Sequence, residues 1–341
     1  MKTKYIIFSL FILAITFSSC RELTISTVVN KDGSFTRIVT ITGDSADVFK
    51  PPNLPYSVDK TWEREVAKDT AKDNNYILTY TKYYKNSDLI NKEMSLDTGW
   101  RKKINRTINV GENFVFFYSY MHYTETIKAS NPFTLLDYND YITKEDLLWL
   151  GGRKIAVSSS DSAKISQAED KAVAYLQEAI TEEIIHAFKI GIEQLDIPAI
   201  NPDLAENYRD SIAKKVDDWK FNSTLDFVDD LAIWTDNDDV YKLKEIDRIE
   251  FMKLDSKIQF IEKMLDNEDY KVLVEMPGLL TETNSPSTNG NIVSWNVNTY
   301  SFLFEDITME VESRVINKWM FIIAGIILFA LIVLTIFKSR K

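Results

Sequence analysis

Nineteen consecutive residues near the C-terminal end, Trp319 to Phe337 (WMFIIAGIILFALIVLTIF), carry no charge. At about 1.5 Å of rise per residue such a helix reaches roughly 28 Å, close to the thickness of a bilayer's hydrocarbon core. Buried helices of soluble cores rarely run so long without a polar side chain. The stretch therefore predicts a transmembrane helix over 318–337, with the bulk of the chain held on one side of a membrane.

The flanks set the orientation. Lys338, Arg340 and Lys341 form a basic tail (338–341), whereas Glu310 and Glu312 precede the span. The positive-inside rule places that tail in the cytoplasm and residues 21–318 outside, on a single-pass protein of the cytoplasmic membrane, with Trp319 as an interfacial anchor. At the other end, Lys2 and Lys4 precede the apolar run Tyr5 to Phe17, and Phe17-Ser18-Ser19-Cys20 follows. This reads as a signal peptide (1–19), and the small residues before the cysteine resemble a bacterial lipobox, with Cys20 as the lipidation site for an acyl chain such as palmitate. An unpaired cysteine in an uncleaved signal anchor is the other reading, and both export the domain. Cys20 is the sole cysteine, so no intramolecular disulfide forms and the domain folds on packing alone.

A net charge of -11 excludes the clustered basic surface that nucleic acid requires and disfavours broad adhesion to anionic lipid. The local patterns predict an α+β domain. Leu23 to Thr42 is a hairpin around Asn30-Lys31-Asp32-Gly33. Pro51, Pro52 and Pro55 interrupt regular structure, and Thr61 to Asp73 fits a helix or a loop. Strands follow at Tyr76 to Tyr84, Arg101 to Val110 and Asn113 to Ile127, the last two joined through Gly111 and Glu112. Both faces of these strands are apolar, which predicts helices covering an antiparallel sheet. Residues 20–129 thus form the first part of a β-rich domain, 130–268 a helical insertion, and 269–317 the strands that complete the sheet.

Within the insertion, Thr143 and Asp146 read as a capping box. Ser166 and Glu169 open an amphipathic helix of about thirty residues, ended by Pro198. Asn201-Pro202-Asp203 restarts a helix to about Trp219, and Val240 to Leu265 forms the last, a pair suited to a helical hairpin. Tyr270 to Met276, Asn291 to Val297 and Ser301 to Val311 return to strand character. Arg21 and Glu22 alone separate Cys20 from the first strand, and Glu312 to Lys318 separates the last from the span. This predicts a two-point tether in which the first strand leaves the membrane and the last returns to it, antiparallel.

The lipobox, the NKDGSF hairpin, the late MPGLLTETN followed by VSW, and the C-terminal span with its basic tail together resemble the LppM-like group of bacterial envelope lipoproteins. The resemblance covers about 100 residues at the two ends. It implies a β-rich domain between a lipidated N-terminus and one C-terminal helix, with an association to envelope lipids or glycolipids, and it brings no catalytic residues.

Motifs that carry chemistry are sparse. Glu183 and His186 have the Glu-x-x-His spacing of a di-iron helix without a second such pair, and His122 is the only other histidine. Asp236, Asp238 and Asp239 resemble a calcium loop, yet Tyr241 and Asp247 occupy the positions that need glycine and glutamate. No GxSxG, HExxH or phosphate-binding glycine loop is found. No metal site and no cofactor is expected. Tyr80, Phe116, Tyr118 and Tyr120, among the strand aromatics, are candidates to line a groove for acyl chains or sugar rings. The expectation is a non-enzymatic, membrane-tethered domain whose partner is an envelope lipid, glycolipid or protein. The alternatives are an assembly subunit docking through the helical insertion and, last, a hydrolase using scattered carboxylates.

Overall fold

A computed structural model describes residues 21–50, 54, 57–70, 75–154, 156, 158–195, 200–218, 221–246, 248–265 and 269–339. Cys20, the signal segment, Pro51, Pro52, Pro55, Pro198, Trp219, Arg340 and Lys341 lie outside them.

The chain is α+β, and its strands form two sheets, where the sequence led us to expect one. The seven-stranded sheet has the order β3 (Glu63–Lys68), β4 (Asn75–Tyr84), β2 (Phe35–Asp44), β1 (Glu22–Val29), β7 (Tyr270–Glu275), β10 (Ile292–Val297), β9 (Ser287–Asn289). The four-stranded sheet has the order β5 (Arg106–Val115), β6 (Tyr118–Ile127), β11 (Ile307–Ile316), β8 (Leu279–Thr283). Inner-face residues alternate with half-exposed ones along β1, β2, β6 and β11, as a pleat with one buried face requires. The cover over β2 and β6 is thus a second sheet, and the expected helical layer over that face is absent. The β1–β2 hairpin turns at Gly33, with φ +79, as its Asp-Gly signal predicts.

One buried cluster joins the two inner faces. Arg37 on β2, fully buried, donates from Nη1 to Glu125 Oε2 at 2.8 Å and from Nη2 to Oε1 at 3.1 Å. Its Nη1 also reaches Thr27 Oγ1 on β1 at 2.8 Å and the Tyr123 hydroxyl at 2.9 Å. Arg106 on β5 is the second guanidinium on Glu125, and the Tyr123 hydroxyl donates to the same carboxylate at 2.5 Å.

The helical insertion caps one end of the sandwich. Helix α2 (Lys144–Leu150) opens with the full Thr143/Asp146 capping box, and Lys171 reaches Asp146 at 2.7 Å from α3 (Ser159–Leu195). Helix α3 is longer than its Ser166 signal indicated because Ser158 and Asp161 start it about two turns earlier. Against it lie α4 (Arg209–Asp217) and α6 (Arg248–Leu265), with Phe188 meeting Phe251 at 5.4 Å and Glu183 paired to Lys257 at 2.8 Å, while α5 (Asp226–Thr235) packs on the segment that follows it. The helix expected from Val240 starts a few residues later: Asp238–Lys242 is a 3-10 segment, and Leu243–Ile246 and Arg248–Leu265 (α6) are α-helical. The open segment after Thr61 holds β3, an edge strand.

Contacts at the two ends fix the direction of the strands. Leu23, Tyr270 and Val297 align across the larger sheet, and three residues after Val297 the chain enters a helical turn whose Phe302 carbonyl accepts from Ser130 N, just past β6. Tyr175 of α3 lies 5.6 Å from Phe304 of that same turn, so this end carries the helices. At the opposite end Val28 pairs with Glu275, and Ser313 Oγ donates to the Pro277 carbonyl at 2.7 Å, close to where β11 meets the helix α7 (Lys318–Ser339). Gly278, with φ +86, packs so tightly on the Arg314 carbonyl that no Cβ would fit. Strand β1 is parallel to β7, and β7 runs the same way as β11. The first strand therefore runs toward α7 and starts at the far end, which overturns the antiparallel two-point tether.

Removing one partner from a buried ion cluster leaves uncompensated charge. Glu125→Ala is expected to cost about 3–5 kcal/mol of stability, as it strands two guanidiniums. Arg37→Met, which leaves Arg106 on Glu125, is expected to cost less. Urea unfolding of the full chain in detergent checks both.

Candidate functional site

Two regions stand out, one at each end of the sandwich. At the helical end, Val173, Leu176 and Ile180 of α3, Ile261 and Leu265 of α6, and Tyr300 wall a cleft of about 620 Å³, with Gln177, Asp217, Glu262 and Lys263 as its polar lining. The α3 residues recur at three- and four-residue spacing, so they share one helical face, and the cleft is the part of that face α6 does not cover. Volume and lining suit an elongated apolar ligand with a few oriented polar groups.

Tyr300 is placed by a tight polar turn. Asp269 accepts from Thr299 N at 3.2 Å and from Asn298 Nδ2 at 3.0 Å, while the Asn298 amide also donates to Glu169 at 2.6 Å. Asp269 keeps an exposed edge, but its carboxylate faces this turn; desolvation first, and the Glu169 carboxylate after it, push its pKa up to about 6. Burial, and then the Glu169 and Asp269 carboxylates, likewise raise the Tyr300 phenol, which stays a neutral donor at the cleft wall.

At the other end, β5 and β6 turn through Phe116 and Phe117, five residues beyond the expected connection at Gly111 and Glu112, which instead continue β5. Phe116 has φ +48, a left-handed conformation usually left to glycine at such a turn. Phe114, Val115, Phe116 and Phe117 are all exposed, Phe116 by 68%. The turn is held by the residue before α7: Asn317 N donates to the Phe117 carbonyl at 2.8 Å, and Asn317 Nδ2 donates to the Phe116 carbonyl at 3.1 Å and to Ser119 Oγ at 3.0 Å. Phe114 stacks on Trp319 at 5.8 Å, and Phe117 meets Phe321 at 4.6 Å. The segment Lys318–Lys338 is long and apolar enough to cross a membrane, and the domain buries none of it.

The aromatics singled out in the sequence do not form one groove. Tyr80 lies on the inner face of β4, packed on the core, beside Val39. Phe116 is at the hairpin tip, and Tyr118 and Tyr120 lie on the outer face of the smaller sheet, where the Arg314 guanidinium sits 4.8 Å over the Tyr118 ring. Trp319 is in the first turn of α7 and Lys338 in its last. The Glu183–Lys257 pair leaves His186 without its Glu-x-x-His partner, and His122 Nδ1 lies 3.3 Å from Glu312. Among the described residues no cluster of three or more His, Cys, Asp or Glu is placed to hold a metal. The cleft was missed in the sequence because its walls come from α3, α6 and Tyr300, which are distant in sequence, and the helices read only as core stripes.

No family model matches this chain, and no curated protein matches it. Among solved structures, the folded domain of LppM from Mycobacterium tuberculosis, determined by NMR, matches with a TM-score of 0.27 and 7% identity, over 88% of this chain and 92% of that one. This is a weak resemblance at the level of fold.

Because the folded-state pKa of Asp269 lies above its ordinary 3.8, the folded chain takes up its proton first. The stabilisation from this group is fully present below about pH 3.8 and is lost as pH rises through about 6. Asp269→Asn is expected to flatten that part of the stability profile, which a series of melting temperatures between pH 4 and 7 checks.

Proposed function

We propose that this protein is an exported, membrane-tethered domain that binds an apolar envelope component, lipid or glycolipid, in the cleft between α3, α6 and Tyr300, without catalysing its conversion. The observation that carries this reading is the position of the cleft: it is apolar-walled and lies at the end of the sandwich opposite α7. Strand β11 alone spans roughly 30 Å at about 3.3 Å per residue. A domain anchored through α7 would hold the cleft at least that far along its long axis. In this reading Lys338 and the basic tail face the cytoplasm, Cys20 carries an acyl chain, and residues 21–317 face the envelope.

A second reading, a protein partner docked on the helical insertion, is favoured by one feature. Ile249 and Met252, one turn apart on α6, are exposed by 67% and 56%. On this reading Ile249→Asp with Met252→Asp abolishes a specific membrane cross-link while leaving lipid binding intact.

Purification of the full chain in mild detergent, followed by mass spectrometry of extracted lipid, tests the primary reading. A defined lipid is expected to co-purify, and Val173→Trp with Gln177→Trp, which fills the cleft, is expected to lower its occupancy at least about tenfold, or ~1.4 kcal/mol. Recovery of no lipid, or unchanged recovery from the filled variant, sinks the proposal.

A further inference from the structure

We infer that the β5–β6 hairpin is a second membrane contact, with Phe114 to Phe117 seated in the outer leaflet beside the first turn of α7. The inference rests on α7 spanning the membrane, which belongs to the reading above, and is independent of what the cleft binds.

The depth of the tip follows from its partners. Trp319 opens the span, and tryptophan at that position sits at the level of the lipid headgroups. Phe114 lies nearly parallel against it, the ring planes 14° apart, and so shares that depth. Phe117 meets Phe321, two residues further along the helix and therefore about 3 Å deeper. Phe116, in the turn itself, is the most exposed of the four. Water on this surface would face four adjacent apolar side chains, whereas lipid would bury them.

The surrounding surface agrees. Ile316 at the end of β11 and Leu279 at the start of β8 are both exposed, by 56% and 61%, and both lie at this end of the smaller sheet. Arg314 over Tyr118, and Lys318, stand just above this apolar rim, where long basic side chains can reach lipid phosphates. The acidic chain as a whole is repelled by anionic headgroups, so its contact with the bilayer has to be local and apolar. The turn itself is informative: glycine would satisfy the positive φ at position 116 without strain, yet a phenylalanine stands there. Asn317 ties that turn by three hydrogen bonds to the residue from which the helix departs, so the hairpin cannot lift off without releasing the helix start.

The test uses the full chain, carrying Cys20→Ser, in vesicles of phosphatidylcholine and phosphatidylglycerol. Single spin labels are placed by Phe116→Cys, Val115→Cys, Ile233→Cys in the helical end and Ile327→Cys in the span, and collisions with oxygen and with a water-soluble nickel chelate are compared. The Phe116 and Val115 labels are expected to lose collision with the chelate and gain collision with oxygen, as Ile327 does, while Ile233 remains in water. If Phe116→Cys lowers the melting temperature, the Val115 label decides. Labels at the tip that collide with the chelate as Ile233 does overturn the inference, with Ile327 in lipid showing that the span itself stands. Protection from both reagents, as contact with a second copy of the chain would give, also overturns it. Chelate access at Ile327 instead removes the span on which both readings depend.

Discussion

Apolar burial holds two sheets together but does not fix where one lies on the other, because the hydrophobic effect has no direction. In this protein the direction comes from Glu125. Its carboxylate receives a two-point contact from Arg37 of the larger sheet and a further guanidinium, Arg106, from its own sheet, with the Tyr123 hydroxyl closing the set. Charge-assisted pairs of this kind have narrow geometry, and sliding β2 over β6 by a single residue would carry the Arg37 guanidinium about 3.3 Å along the strand and off Glu125. Hydrophobic residues of similar volume would hold the sheets together as firmly, so the cluster's contribution is to register rather than to net stability. From that register follows the division of the molecule into a helical end, with the cleft, and a membrane end, with the hairpin tip.

The membrane end depends in turn on Asn317. It is the last residue before the spanning helix, and its backbone and side chain together bind both carbonyls of the Phe116–Phe117 turn. A spanning helix joined to a domain by a free linker leaves the domain's orientation undefined. Here β11 passes into α7 with one residue between them, and that residue is pinned to the neighbouring hairpin. The sandwich and the first helical turn therefore behave as one body, which under the proposed anchoring through α7 puts the cleft away from the bilayer.

Features written in short sequence patterns were legible. The uncharged run at 319–337, the Asp-Gly hairpin at Gly33 and the Thr143/Asp146 capping box each rest on local chemistry, and each is found where its pattern lies. Features set by distant partners were not. Arg37 and Glu125 read as ordinary polar positions of alternating strands, since nothing local marks a charge whose partner is 88 residues away. The turn at Phe116 was hidden because Gly111 is the stronger local turn signal, while the φ that identifies the true turn sits on an aromatic residue and is held by Asn317, 201 residues later. Helix α5 was not read in the sequence, where Asp229 and Asp230 interrupt the apolar pattern; they face outward, to Lys244 and Lys215, while Phe227, Val228 and Leu231 supply the buried stripe. Two sheets were read as one because pairing between strands is not encoded in the strands' own periodicity.

The direction of β1 bears on what an acyl chain at Cys20 can do. Glu22 opens β1, and the Leu23 position pairs with Tyr270 at the helical end, so the N-terminal attachment leaves the domain at the end opposite α7. Extended, Arg21 adds only about 3.5 Å, against the roughly 30 Å of β11 that separates that end from the span. A lipid there and a helix at α7 cannot both enter the same leaflet while the sandwich stands on its hairpin tip. Either the domain lies along the bilayer, which requires Phe114 and Phe117 to leave Trp319 and Phe321, or the acyl chain enters a surface facing the helical end. The contacts around Asn317 oppose the first arrangement. A lipid on Cys20 would then act beside the cleft rather than beside the anchor, and retention in the membrane would fall to α7 alone.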